Sequence, residues 1–187
     1  MNIILASQSP RRRELLELFK LPFTVRVADI DETMDTDSAP FDEVARVSQA
    51  KALAVPRDGD DIVIAADTIV VLGNTILGKP KSEADAVRML SALSGQDHQV
   101  MTGLTVLRGE TCVSCTDVTD IHFRELSQKE ILAYVATGEP MDKAGSYGIQ
   151  GGAALFAEKM VGDYYNVMGL PVCRLRMILN DLAPELF

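Results

Sequence analysis

The residues able to do chemistry in this chain are charged side chains placed in or beside loops and helix ends. Arg11, Arg12, Lys51, Lys79 and Lys143 supply positive charge, and Glu32, Asp67 and Asp142 supply carboxylates. Polyphosphate chemistry calls for this mixture: cations and backbone N–H groups neutralise phosphates, while carboxylates hold a divalent cation and orient an attacking water. Spacing alone does not make them converge, since any acidic globular chain offers as many charges. Asp67 stands out because it interrupts the apolar run Ile62-Val63-Ile64-Ala65-Ala66 before Ile69-Val70-Val71-Leu72. A carboxylate between buried strands costs several kcal/mol unless it is paired, hydrogen-bonded or metal-bound, so Asp67 reads either as a functional group or as a satisfied structural aspartate. The segment Ser7-Gln8-Ser9-Pro10 followed by Arg11-Arg12-Arg13 also has two readings. It is an anion site at a helix N-terminus or a capped surface helix with solvated arginines.

Other chemistries fail on inspection. The stretch Gly145-Ser146-Tyr147-Gly148-Ile149-Gln150-Gly151-Gly152 is glycine-rich but lacks the order of a dinucleotide-binding turn, and no phosphate-binding G-x-x-x-x-G-K-[ST] loop exists. His98 and His122 are the only histidines, no G-x-S-x-G elbow accompanies them, and both read as structural. Cys112 and Cys115 form a C-x-x-C, yet the second pair of a zinc site is missing. In an alternating strand their spacing points the thiols to opposite faces. An odd total with Cys173 suits a reducing compartment and a cytoplasmic location.

The elements that must position these groups interleave strand and helix. Strands are expected at residues 3–6, 23–27, 62–66 and 69–72, 75–77, 99–107, 112–123, 153–158 and 164–167. The second of these is followed by a loop to Ser38, and the strand from Ile62 is expected to end at Asp67-Thr68. Helices are expected at 11–20, capped by Ser9 with Pro10 at the first position, and at 41–55, carrying Lys51. Another follows Ser82-Glu83-Ala84-Asp85, and another opens at Ser127 with Glu130 and ends at Gly138. The last covers 171–182. Residues 139–152 read as loop. Gly73-Asn74 and Arg108-Gly109 mark hairpin turns, so the sheet is expected to be mixed rather than wholly parallel.

Composition bounds the rest. The 187 residues, 47% hydrophobic and 24% charged, describe one globular α/β domain over 1–187. No apolar run reaches a membrane span, and Met1-Asn2-Ile3-Ile4-Leu5 lacks the basic region and longer apolar stretch expected of a signal peptide. With 18 basic against 27 acidic residues the net charge is −9, which argues against a nucleic-acid backbone as partner and is compatible with a single small nucleotide held in a local basic pocket.

Several segments together carry a resemblance. Leu5-Ala6-Ser7-Gln8-Ser9-Pro10-Arg11-Arg12-Arg13-Glu14-Leu15-Leu16, Ala66-Asp67-Thr68, Gly78-Lys79-Pro80, Asp142-Lys143-Ala144-Gly145-Ser146-Tyr147-Gly148-Ile149-Gln150-Gly151 and Gly162-Asp163-Tyr164-Tyr165-Asn166-Val167-Met168-Gly169-Leu170-Pro171 resemble the signature segments of the Maf family of nucleotide pyrophosphatases. They occur in the family's order along essentially the whole chain.

The resemblance implies an elongated, two-lobed mixed β-sheet with flanking helices and a central cleft, similar to inosine triphosphate pyrophosphatases. It implies hydrolysis of a nucleoside triphosphate between the α- and β-phosphates, with Mg²⁺ or Mn²⁺ as cofactor. Asp67 would be the proton acceptor. Arg11, Thr68 and Gln150 match specificity positions, and Ser7, Arg12, Lys51 and Lys79 match phosphate-binding residues. Glu32 and Asp67 would hold the metal. The Tyr147-Gly148-Ile149-Gln150-Gly151 form of the loop resembles the branch acting on dTTP and UTP, with modified pyrimidine nucleotides as a further class, rather than the branch preferring 7-methyl-GTP. The family's association with septum formation gives the alternative of a nucleotide-binding regulator working through a protein partner. A homodimer is left open.

Overall fold

The structure is a computed structural model that describes residues 1–35 and 38–187. Thr36 and Asp37, part of the expected loop before Ser38, lie outside the described residues. Strands β1 (Ile3–Leu5), β2 (Phe23–Val25), β3 (Ile62–Leu72), β4 (Thr75–Leu77), β5 (Asp97–Arg108), β6 (Thr111–Phe123) and β7 (Ala157–Val161) alternate with helices α1 (Pro10–Glu17), α2 (Pro40–Ala54), α3 (Glu83–Leu93), α4 (Gln128–Val135), α5 (Tyr164–Met168) and α6 (Val172–Leu182). The strands form one seven-stranded sheet in the order β2-β1-β3-β5-β6-β7, with β4 paired to β3. The sheet is mixed, as expected: β1 runs parallel to β2 and β3, whereas β3–β4 and β6–β7 are antiparallel.

Three expectations are corrected. β3 does not stop at Asp67 but runs on to Leu72, 11 residues in all; an ion pair neutralises the carboxylate, so the strand has no reason to end there. Residues 152–155 form a 3-10 turn, and the following strand begins only at Ala157. Residues 164–168 are helical, despite the strand preference of Tyr-Tyr-Asn-Val. Asp163 takes the Tyr165 N–H at 2.8 Å as a helix cap would. Buried Asn166 donates to Val100 O (3.0 Å) and to Thr119 Oγ1 (2.9 Å), and these bonds outweigh propensity.

The chain divides into two compact units. The first comprises Met1–Asp67, Thr102–Asp117 and Gly169–Phe187. Its central strands β1 and the first half of β3 are continuous apolar runs because both faces are covered. Ile4, Ala6, Val63 and Ala65 pack there with Ala52 of α2, with Val55 just after it and with Leu107. Gly103 lets α2 lie close on β5, since a Cβ there would come within 2.2 Å of Val44 O. Buried Ser48 and Thr105 share a 2.8 Å hydroxyl bond across the same contact. Cys112 and Cys115 are free, on a strand as expected.

The second unit, Thr68–Met101 and Val118–Met168, is built round Phe123. Leu90 and Leu93 of α3, Ile131 and Tyr134 of α4, Ile121 and Phe156 close over it. Both helices begin as the sequence indicates, with one difference. Ser127 and Glu130 form the full reciprocal capping box. Ser82 caps Asp85 N–H, but the shorter Asp85 side chain accepts from Lys81 N–H instead.

His98 is buried in this core, edge-on to Phe123 at 4.8 Å, with Nε2 2.8 Å from Tyr147 Oη. Burial holds its pKa down to about 4 from 6.5, against smaller opposing effects of the Gln96 backbone and the Asp97 charge. The unfolded chain therefore binds the proton first as pH falls. Stability contributed by neutral His98 is complete above pH 6.5 and is lost as pH falls towards 4, by up to about 3 kcal/mol. Urea unfolding at pH 7 and pH 4.5 measures this, and His98→Gln, which keeps a partner for Tyr147, should flatten the dependence in that window.

Candidate active site

The segment from β1 into α1 starts the site. Ser9 caps α1 by accepting from Arg12 N–H at 3.5 Å, and Pro10 occupies the first helical position. Ser7, only 8% exposed, accepts from Ser9 N–H at 3.2 Å and from Arg12 Nη1 at 3.1 Å. Arg12 Nε donates to Gly169 O at 2.7 Å, which fixes the guanidinium plane. Burial pulls the Arg12 pKa down from its usual range; Asp67 and Glu32 act to raise it and Arg11 to lower it. Arg12 remains a cation, and it lies within the field of both carboxylates.

The carboxylates meet at Lys51. Its ammonium, near the C-terminal end of α2, lies 2.7 Å from Asp67 Oδ1 and 3.0 Å from Glu32 Oε2. The side chains of Lys51 and Asp67 are 14% and 12% exposed, that of Glu32 58%. Two other carboxylates are hidden more deeply still, and the contrast is informative. Asp61 is satisfied by Asn2 N–H and Nδ2 and by Asp58 N–H, and these bonds hold its carboxyl below the usual range. Glu43 is satisfied by Arg46 and Asp35 N–H. Both are structural. Asp67 instead faces a lysine that also serves a second, more exposed acid.

The first unit thus brings together Ser7, Arg12, Glu32, Lys51 and Asp67, with half-buried Arg11 acting on Arg12. Thr68, Lys79 and Gln150 belong to the second unit. Thr68 is half-buried on β3; Lys79 and Gln150 are exposed. A backbone bond from Gly145 N–H to Gly78 O, 3.0 Å, ties the segment of Lys79 to the loop that carries Gln150. Lys143 donates to Asp142 Oδ1 and to Glu139 O, both at 2.7 Å, so its charge is spent within that loop.

Sequence reasoning missed two residues that hold this loop, one of them on α4. Glu139 and Tyr134 bind its backbone: Gly148 N–H donates to Tyr134 Oη at 3.1 Å and Gly152 N–H to Glu139 Oε2 at 3.1 Å. The close-set glycines 148, 151 and 152 were the available signal, since small residues mark places where another group comes near the backbone.

The sequence pattern of the Maf-like proteins matches residues 2–182. A protein of Bacillus cereus (strain AH187) named dTTP/UTP pyrophosphatase is 49% identical over 175 residues, covering 93% of this chain and 92% of its own. One of the same name from Bacillus thuringiensis subsp. konkukian gives the same figures. Among solved structures, a HAM1 protein from Coxiella burnetii has a TM-score of 0.52 at 16% identity, covering 97% of this chain and 99% of that one. The Ham1 protein of Staphylococcus aureus has a TM-score of 0.50 at 14% identity, covering 97% and 100%. These two share the fold.

Proposed function

Because the chain belongs to the Maf-like protein family, we propose that it is a house-cleaning nucleoside triphosphate pyrophosphatase that hydrolyses dTTP and UTP to the monophosphate and pyrophosphate. The observation that carries this is the nearly buried Asp67 carboxylate, 2.7 Å from Lys51 and in the field of Arg12. The substrate class comes from relatives 49% identical to the chain and named dTTP/UTP pyrophosphatase.

In this reaction an Asp67 oxygen accepts the proton of a water that attacks the α-phosphorus. The bond from that phosphorus to the oxygen bridging the β-phosphate breaks, and pyrophosphate departs with the bridging oxygen. Lys51 keeps the carboxylate in place and compensates its burial. Ser7, Arg12 and the backbone N–H groups opening α1 bind phosphate oxygens, and Lys79 adds a further cation. Arg11, Thr68 and Gln150 select the substrate. The Gln150 amide offers a donor and an acceptor for the O4 and N3–H edge that thymine and uracil share, and cytosine reverses both.

A divalent cation, Mg²⁺ or Mn²⁺, is part of the proposal. Among the described residues no group of three or more His, Cys, Asp or Glu side chains could hold a metal. Glu32 and Asp67 are nevertheless hard oxygen donors, in the number Mg²⁺ uses when substrate phosphates and water complete its shell. They would hold the ion, which when bound would supply positive charge to the phosphates and leaving group. The three free cysteines support a reducing, cytoplasmic setting, and no helix of the described residues is long and apolar enough to cross a membrane.

Separate assays with dTTP, UTP, CTP, GTP and 7-methyl-GTP in Mg²⁺ test the substrate class. The two uracil-edge nucleotides should be preferred, and Gln150→Glu, which removes the donor, should lower kcat/KM for dTTP about tenfold with little change in Tm. A best rate with 7-methyl-GTP would contradict the base reading.

A further inference from the structure

Gln150 is exposed, so packing does not hold its amide; what fixes it acts through the backbone of its turn. That turn closes with a bond from Gly151 N–H to Gly148 O, 3.1 Å. Side chains of the same unit tie it at three points. Tyr147 Oη meets buried His98 Nε2 at 2.8 Å before the turn. Gly148 N–H donates to Tyr134 Oη on one side of Gln150, and Gly152 N–H donates to Glu139 Oε2 on the other.

The last two ties are one device. Tyr134 Oη donates to Glu139 Oε1 at 2.9 Å, so a single carboxylate accepts on both oxygens and joins the two ends of the turn. A Cβ on Gly151, the residue after Gln150, would lie 2.0 Å from Glu139 Oε1; the carboxylate packs directly against that backbone. Glu139 is itself anchored, its N–H donating to Thr137 Oγ1 at 3.2 Å and its carbonyl accepting from Lys143 Nζ at 2.7 Å. Burial and the Glu139 charge keep the Tyr134 phenol protonated, which preserves its donor.

We propose that Glu139 is a positioning residue for base selection, holding through Tyr134, Gly148 and Gly152 the turn on which Gln150 presents its amide. This rests on Gln150 reading the base. Glu139 acts through the backbone rather than by contact with the nucleotide. Removing the carboxylate strips the Gly152 N–H and the Tyr134 hydroxyl of their acceptor and lets the amide sample more directions. A reader that needs both a donor and an acceptor in register then loses discrimination before it loses turnover.

The test is steady-state kinetics of the full chain with dTTP and CTP in Mg²⁺, comparing Glu139→Ala, Glu139→Gln, Tyr134→Phe, Gln150→Ala and the double variant Glu139→Ala/Gln150→Ala. Glu139→Ala should lower the dTTP-to-CTP ratio of kcat/KM about tenfold, more through KM for dTTP than through kcat. Tyr134→Phe should act in the same sense and less strongly. It keeps the ring that packs on Phe156 at 5.2 Å, so it still decides the question where Glu139→Ala fails to fold. Glu139→Gln, with one acceptor left for Gly152 N–H, should recover most of the ratio. In the Gln150→Ala background, Glu139→Ala should change the ratio no further. If Gln150→Ala lowers the ratio while Glu139→Ala and Tyr134→Phe do not, or if the effects multiply in the double variant, Glu139 does not position Gln150. A ratio untouched by Gln150→Ala would overturn the base reading, and the positioning role with it.

Discussion

Asp67→Asn is expected to lower kcat for dTTP about a thousandfold while leaving the chain folded. Asparagine keeps the shape and one acceptor oxygen for Lys51 but cannot take a proton from water. Removing one partner of a buried ion pair is often severe, because it leaves a charge without compensation. Here Glu32 remains 3.0 Å from the Lys51 ammonium, so the cost to stability should stay near about 1–3 kcal/mol. Rates with dTTP beside a thermal unfolding curve separate the two effects. Turnover within about tenfold of the parent would remove Asp67 from the role of base.

The second large effect is expected at Arg12, where lysine should do little better than alanine. Arg12 uses one guanidinium plane in two directions, Nε–H to Gly169 O at 2.7 Å and Nη1–H to Ser7 Oγ at 3.1 Å. A lysine ammonium supplies the charge but not the fork, and it cannot hold the C-terminal segment and Ser7 together. Both Arg12→Lys and Arg12→Ala should lower kcat/KM for dTTP about a hundredfold, with kcat falling as well as KM rising. Near-parental activity of Arg12→Lys would show that only charge matters there.

The residues of the site were legible in the sequence to different degrees, for physical reasons. Asp67 announced itself because a carboxylate within an apolar strand demands a partner. That the partner is Lys51 was not readable, since it depends on which face α2 turns to the sheet. A charge in an apolar run also suggests a strand end at Asp67, and the ion pair is what lets β3 continue. Asp61, directly before the same apolar run, is also buried, but Asn2 satisfies it and, among the described residues, it has no lysine partner to share. The long helices and the β3–β4 hairpin followed from apolar periodicity, caps and the Gly73 turn, which has φ +59°. The helix at Tyr164 was hidden behind strand-forming residues because its stabilising bonds, from Asn166 to Val100 and Thr119, are long-range. Tyr134 is one of the buried positions of α4. Its hydroxyl acquires a role only once Glu139 and Gly148 are folded beside it.

Whether this chain is a pyrophosphatase is decided by the products it forms from dTTP and Mg²⁺ over many turnovers. dTMP and pyrophosphate in equal amounts, accumulating well beyond one per chain, is the predicted result. dTDP with inorganic phosphate would contradict the site of cleavage, and binding without repeated turnover would contradict catalysis itself.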